Sequence, residues 1–264
     1  FLRERDIITH EMELSNNSSV IFDPEKQYSI LINEEDHIRI QVIKPGLQIL
    51  PAYKLADEID DELNKYISYA FTDDLGFLTT CPSNVGTGLR VAAMVHLPML
   101  TAAKNMCEVV KLVREYQSQL KGIVHDTTRT IGSMYIISNK ATLGKSEIDI
   151  IEEIDKVVSL IVDLENEARD EYDLHHKDIL EDMIWRSYGI IAFSRLMSYA
   201  EAIEHLSLIR LGIILSIIKN IELSAINDLM IHIQLSHLQK IAGKQFASSE
   251  EGDAFRASYL RKSF

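Results

Sequence analysis

The sequence predicts an α+β fold, with strands and helices interleaved over residues 1–168 and an all-helical region over 169–264. Three observations predict it. Ile38-Arg39-Ile40-Gln41-Val42 alternates with period two, so Ile38, Ile40 and Val42 face one side of a strand and Arg39 and Gln41 the other. Apolar residues recur at helical spacing in the segments between strand candidates. From about Asp170 to the end the pattern is helical, with Gly and Ser breaks and no convincing strand.

Taken in order, Tyr28 to Ile32 is rich in β-formers, and the acidic stretch Asn33-Glu34-Glu35-Asp36-His37 separates it from the alternating strand. Leu55, Ile59, Leu63, Ile67 and Ala70 predict a helix from Pro51 to Phe71, broken by Thr72-Asp73-Asp74-Leu75-Gly76. A polar, Gly-bearing loop runs from Leu78 to Arg90 and leads into a strand from Val91 to Leu97. Met106, Val109, Val110 and Val113 form the stripe of a helix expected from about Met99 to Gln119. Ile123-Val124 and Met134 to Ile137 read as a strand pair around the polar loop His125 to Thr130. Ser146, with Asp149 three residues on, is an N-cap for a helix burying Ile148, Ile151, Val158 and Ile161. Ser198 with Glu201 looks like a capping box opening a helix to about Ile218. A boundary is expected near 165–175, where the acidic linker (Asp163, Glu165, Glu167, Asp170, Glu171, Asp173) lacks Pro and Gly and suits a continuous helix.

Hydrophobic content of 46% and charged content of 25% exclude a disordered tail, a collagen-like fibre and a disulfide-stapled miniprotein. A net charge of −13 argues against nucleic-acid binding by bulk electrostatics. Cys81 and Cys107 are too few for a disulfide framework or a Cys-based zinc site, and reduced thiols suit a cytoplasmic protein. The longest mostly apolar run, Leu211 to Ile218, is far short of the roughly 18 residues a membrane helix needs. The chain opens on Phe1 without a signal peptide, and is expected to be a fragment or trimmed at its N-terminus.

Gly144-Lys145-Ser146 looks like the end of a phosphate-binding loop, but the position that must be Gly is Asn139, so a Lys-Ser helix start is the better account. None of the nine histidines forms a metal-binding pair: His175 and His176 diverge on a helix, and His232 and His237 are five apart. No metal site is expected. Glu34, Glu35 and Asp36 repel one another, and two readings stand: a site for a cationic partner, or a solvated turn. The loop from Cys81 to Arg90 can present backbone N–H groups and a guanidinium to an anion, although any Gly-rich turn looks similar.

Together these two segments carry a resemblance. Asn33-Glu34-Glu35-Asp36-His37 with Arg39, followed about forty residues on by Cys81-Pro82-Ser83-Asn84, Gly86-Thr87 and Arg90, resembles the ATP:guanido phosphotransferases, which include creatine and arginine kinases. Ile136-Ile137-Ser138-Asn139, Leu143-Gly144-Lys145-Ser146-Glu147, Arg186-Ser187-Tyr188-Gly189 and Arg210-Leu211-Gly212-Ile213 bring it nearest to the bacterial protein-arginine kinases of that family. The resemblance implies an antiparallel sheet flanked by helices as the catalytic domain (1–168, its N-terminal part missing) and a helical C-terminal domain (169–264). It implies ATP and Mg2+ as cofactors and phosphorylation of a guanidinium nitrogen. Glu35, Asp126 and Cys81 take the catalytic positions, and Glu34, Glu35, Asp36 and Cys81 the substrate positions. Arg39, Arg90, Val91, Ala92, Ala93 and Met94, with Lys121, Gly122, Ile123, Val124 and His125, take the nucleotide positions. Implied partners are arginine-containing protein substrates, a zinc-finger activator, a heat-shock repressor and a Clp protease, in a cytoplasmic stress response. A homodimer through the helical tail is also implied, although Leu206 to Ile218 is more simply core. No nucleic acid or membrane partner is expected.

Four departures set up a rival expectation, a non-catalytic or weakly active relative serving as an adaptor. The family's Ser-Arg-x-Arg element is absent from this chain. The family's Arg-Gly-x-x-Gly-Glu loop reads Lys121-Gly122-Ile123-Val124-His125-Asp126, where Lys121 keeps the charge without the bidentate fork. A family histidine is replaced by Asp6. The phosphoarginine-recognising Arg-Asp-x-x-Arg-Ala element becomes Gly252-Asp253-Ala254-Phe255-Arg256-Ala257, without its first arginine. A metabolite kinase acting on free arginine or creatine is a third, weaker expectation.

Overall fold

The computed structural model describes residues 1–23, 25, 28–124 and 130–264. A short helix α1 (His10–Leu14) precedes three antiparallel strands, β1 (Ser19–Phe22), β2 (Tyr28–Ile32) and β3 (Ile38–Val42), in the order β1-β2-β3 with Ile30 opposite Ile40. Helix α2 (Ile49–Asn64) is followed by a hairpin of β4 (Phe71–Thr72) and β5 (Gly76–Phe77). A second three-stranded antiparallel sheet, in the order β6-β8-β7, contains β6 (Ala92–His96), β7 (Ser118–Val124) and β8 (Thr130–Asn139). Between β6 and β7 lie α3 (Pro98–Ala102) and α4 (Met106–Glu115). From α5 (Glu147–Phe193) onward the described chain is helical, through α6 (Tyr199–Ile214), α7 (Leu223–His232), α8 (Leu235–Ala242) and α9 (Ser249–Arg261).

Four sequence expectations are corrected. The helix expected to reach Phe71 stops at Asn64, where the Leu63 carbonyl accepts the amides of both Tyr66 and Ile67. Beyond it the chain is extended, because Leu78 donates to the Ala70 carbonyl at 2.8 Å and Phe71 packs edge-on against Phe77. Long-range pairing thus overrides helical spacing. The helix expected over Met99 to Gln119 is two helices and the start of β7. Lys104 (φ +60°) breaks it and Gln117 (φ +47°) turns the chain into the strand. The helix opened by Ser198 ends at Ile214, because Ser216 is left-handed and the Gly212 carbonyl accepts the amides of Ile217 and Ile218. Ile148 is exposed, and α5 buries Ile150, Ile154 and Val157 together with Ile151, Val158 and Ile161.

The Ser146 cap forms a reciprocal capping box with Asp149. The acidic linker is helical, with one break in α5 at His176 (φ −140°, ψ 27°). Two hydrophobic clusters result. One gathers Val95, Leu97, Val109, Ile137, Ile154 and Ile161 between the second sheet, α4 and α5. The other gathers Leu180, Ile184, Leu206, Ile209, Ile226 and Leu260 among the later helices, and also takes in Met99 and Ile131. Ala168 packs against both. Where α6 crosses β8, Gly132 (φ +61°) is required on two counts: its conformation disfavours a side chain, and a Cβ there would stand 2.5 Å from Ile203 Cγ2.

Polar groups also close this junction. His96, at the end of β6, lies 2.7 Å from Ser207 Oγ through Nε2 and 2.7 Å from an Arg210 nitrogen through Nδ1. Burial, with the charges of Arg210 and Arg169, pushes the His96 imidazole down to a pKa of about 3, so it is neutral here. The buried Glu165 carboxylate accepts the amides of Met99 (3.1 Å) and Leu100 (3.0 Å), which are otherwise orphaned at the start of α3. Burial raises its pKa, although those amides and Arg169 oppose the shift.

Candidate active site

The acidic stretch is the turn between β2 and β3. Asn33 adopts the left-handed conformation (φ +54°), which Asn tolerates better than most residues, and its amide donates to the His37 carbonyl at 3.0 Å. The three carboxylates then diverge. Glu34 turns inward, its side chain 4% exposed, and meets an Arg39 nitrogen at 3.4 Å. Burial would raise its pKa, but hydrogen bonds from the Glu35 amide and the Thr9 hydroxyl, with the Arg39 charge, hold the carboxyl below its ordinary value. Asp36 reaches across to the second segment: Oδ1 accepts the Cys81 amide at 3.0 Å and Oδ2 accepts Asn84 Nδ2 at 2.7 Å. Glu35 is exposed, and its carboxylate makes no hydrogen bond or ion pair among the described residues.

The Cys81 loop is fastened from behind. Cys81 precedes a single 3-10 turn (Pro82–Asn84), and its Sγ lies 3.1 Å from Ser83 Oγ. Thr142 Oγ1 lies 3.1 Å from the Ser83 carbonyl and 2.7 Å from that of Val85. Gly86 (φ +113°) passes so close to the Thr142 carbonyl that a Cβ would stand 2.3 Å from it. Asn139, buried at the end of β8, accepts the Val91 amide at 2.8 Å and donates to the Leu89 and Ala141 carbonyls at 3.0 and 2.9 Å. Arg90 is exposed and leans on the same loop, with Nε on Asn84 Oδ1 at 3.1 Å and one terminal nitrogen on the Ser83 carbonyl and hydroxyl at 3.2 and 3.1 Å.

Asp36 and Asn84 therefore tie the acidic hairpin, with its exposed Glu35, to the loop that carries Cys81 and the exposed Arg90, and Arg39 joins the hairpin through Glu34. In the stretch after Arg90, Ala92 and Met94 are exposed, on the face of β6 that meets Ser138 and Ile136 of β8. Lys121, opposite Ile136, is exposed beside them. Val91 and Ala93 turn instead into the first hydrophobic cluster. Ile123 packs against the second, because the register shifts between Gly122 and Val124. The predicted residues His125 and Asp126 lie outside the described residues. Asn84 and Thr142 were missed as site-builders. Asn84 was visible within the Cys-Pro-Ser-Asn motif, whereas Thr142 carries no pattern of its own.

Two departures also find places. Asp6 (φ +54°) is exposed, though the protein packed around it displaces enough water to raise its carboxyl pKa, and its carbonyl accepts the Gln41 side-chain amide. Arg256 is buried, donating to the carbonyls of Ile233 (2.9 Å) and Met197 (2.8 Å) and to Asp253.

Comparison with known proteins fits this geometry. Residues 1–168 match the family described as ATP:guanido phosphotransferase, C-terminal catalytic domain. The chain belongs to that family. Residues 177–264 match the protein-arginine kinase McsB C-terminal domain, so this guanido phosphotransferase falls with the protein-arginine kinases. It is 40% identical over 262 residues to the protein-arginine kinase of Geobacillus sp. (strain WCH70), covering 99% of this chain and 72% of that protein. It is 36% identical over 261 residues to that of Bacillus subtilis (strain 168), with the same coverage. Among solved structures it resembles the duplicated taurocyamine kinase of Schistosoma mansoni with bound transition state analog components, at 27% identity and a TM-score of 0.57. That match covers 69% of this chain and 28% of the taurocyamine kinase. The antiparallel α+β architecture with a helical C-terminal region is thus that of a guanido phosphotransferase.

Proposed function

We propose that this chain transfers the γ-phosphoryl group of Mg-ATP to a guanidinium nitrogen of arginine side chains in proteins. The observation that carries the proposal is the pinning of the acidic hairpin to the Cys81 loop through Asp36, which ties the segment of exposed Glu35 to the segment of exposed Arg90. The names of the related kinases and the match of both family descriptions support it.

Guanidinium is a planar cation with a pKa above about 12, so it must be held by carboxylate and lose a proton as its nitrogen attacks. Glu35 orients the guanidinium and accepts that proton. The N–P bond forms while the bond from the γ-phosphorus to the ADP oxygen breaks. Arg39 and Arg90 draw charge from the phosphates, and Lys121 adds a positive charge on the neighbouring open sheet face, beside apolar Met94 and Ile136, which suit an adenine ring. Magnesium bound with the nucleotide would supply further charge neutralisation beside these basic side chains. Cys81, within reach of the Ser83 hydroxyl, borders the substrate guanidinium.

The same reading assigns the chemistry to 1–168 and recruitment of protein partners to 169–264. The partners are arginine-bearing protein substrates together with a zinc-finger activator, a heat-shock repressor and a Clp protease, in a cytoplasmic stress response. No helix among the described residues is long and apolar enough to cross a membrane. Incubation of an arginine-rich protein with Mg-ATP, followed by detection of acid-labile phosphoarginine, tests the activity. Phosphate is expected on protein arginine, and Glu35→Ala is expected to abolish it. Labelling of free arginine without labelling of protein would instead point to a metabolite kinase.

A further inference from the structure

One neutral side chain stands between the acid and the base of this surface. Asn84 donates its amide hydrogen to Asp36 Oδ2 at 2.7 Å and accepts Arg90 Nε on its amide oxygen at 3.1 Å. The order along this row is carboxylate, amide, guanidinium. A carboxylate and a guanidinium this close would ordinarily meet as a bidentate ion pair, covering the donors of the guanidinium and cancelling its charge. The intervening amide passes on a hydrogen bond without bringing a charge. Ser83 steadies one terminal nitrogen of Arg90 through its carbonyl and hydroxyl, while the other, Nη1, has no hydrogen-bond or ion-pair partner among the described residues. Asp36 is itself anchored by the Cys81 amide at 3.0 Å, so the row has a fixed end.

We infer that Asn84 is a positioning residue that aims Arg90 while insulating it from Asp36, so that its charge stays available to the phosphates of the nucleotide. The inference rests on the nucleotide role proposed for Arg90 and deepens it. It explains why an amide is needed here: a carboxylate at position 84 would capture Arg90, and an apolar side chain would release it from the loop.

Two variants test this, with Mg-ATP binding to the full chain measured by calorimetry and folding followed by thermal unfolding. Asn84→Asp is expected to weaken Mg-ATP binding about tenfold or more, the scale of one charge-assisted hydrogen bond. The decisive variant is the double exchange Asp36→Asn with Asn84→Asp. It preserves a donor or acceptor for every bond in the row, including that to the Cys81 amide, but puts the charge beside Arg90. The expected result is a parental unfolding midpoint with Mg-ATP binding still weakened about tenfold. Parental affinity in the double exchange would overturn the inference, because the row would then be structural glue. If the unaltered chain fails to bind Mg-ATP, the nucleotide reading beneath the inference falls with it, and that result is distinct from equal affinities across the series.

Discussion

The candidate site and the junction between sheet and helices handle charge in opposite ways. At the candidate site, Glu35 and Arg90 are exposed, and bonds from Asp36, Asn84 and Ser83 fasten the loops behind them. At the junction and in the helical region, charged and titratable groups are turned inward: His96 between Ser207 and Arg210, Glu165 beneath the start of α3, and Arg256 on two carbonyls and Asp253. The first arrangement keeps charge available for a ligand. The second uses it to satisfy buried polar groups that would otherwise destabilise the fold. Substitutions at the site should therefore change rates, and substitutions in the interior should change stability.

The largest effect expected is on rate. Glu35→Gln should lower kcat by roughly 10²- to 10⁴-fold, the range of a lost general base, with an unfolding midpoint close to the parent's. A large loss of stability instead would erase the contrast. Next, Arg256→Met should cost about 3 kcal/mol in denaturant unfolding, because it leaves the Ile233 and Met197 carbonyls and Asp253 without their buried donor. An unchanged midpoint in urea would place Arg256 outside the group of interior fasteners.

A smaller effect follows from pH. The folded pKa of His96 is depressed to about 3, so between that value and its unfolded value near 6.5 the unfolded chain binds the extra proton. The stability tied to a neutral His96 is complete above about 6.5 and is lost as pH falls. By pH 5 the loss should be about 2 kcal/mol. His96→Gln should flatten that part of the stability profile, whereas equal slopes for both proteins would contradict the assignment. Least of all, Arg186→Ala, which removes an exposed ion pair with Asp182 on α5, should change stability by under about 0.5 kcal/mol.

Much of the site was legible in the sequence because its residues lie in two short segments whose composition is unusual for plain turns. Asn33 to Arg39 and Cys81 to Arg90 could be read as a pair. The bonds that join them could not: Asp36 and Asn84 are 48 residues apart, and a side-chain contact over that separation leaves no periodic trace. For the same reason Glu34 and Asp36 read as substrate-binding partners of Glu35, although one turns under the hairpin and the other crosses to the loop. Strand β3 was legible from its alternation and the α5 start from its capping box, whereas β1, β4 and β5 are too short to leave a pattern. The break at Lys104 was not, since apolar spacing continues on both sides of it. Asn139, quoted for its resemblance, proves to be the staple behind Arg90.

Helix α5 is a shared beam, and it has a mechanical consequence. Its early turns fill the first hydrophobic cluster, its later turns fill the second, and Ala168 touches both. At about 1.5 Å per residue, neither half can shed its share of the beam without losing a wall of its own interior. The border expected near 165–175 falls within this helix, so heat should melt both halves in a single cooperative step.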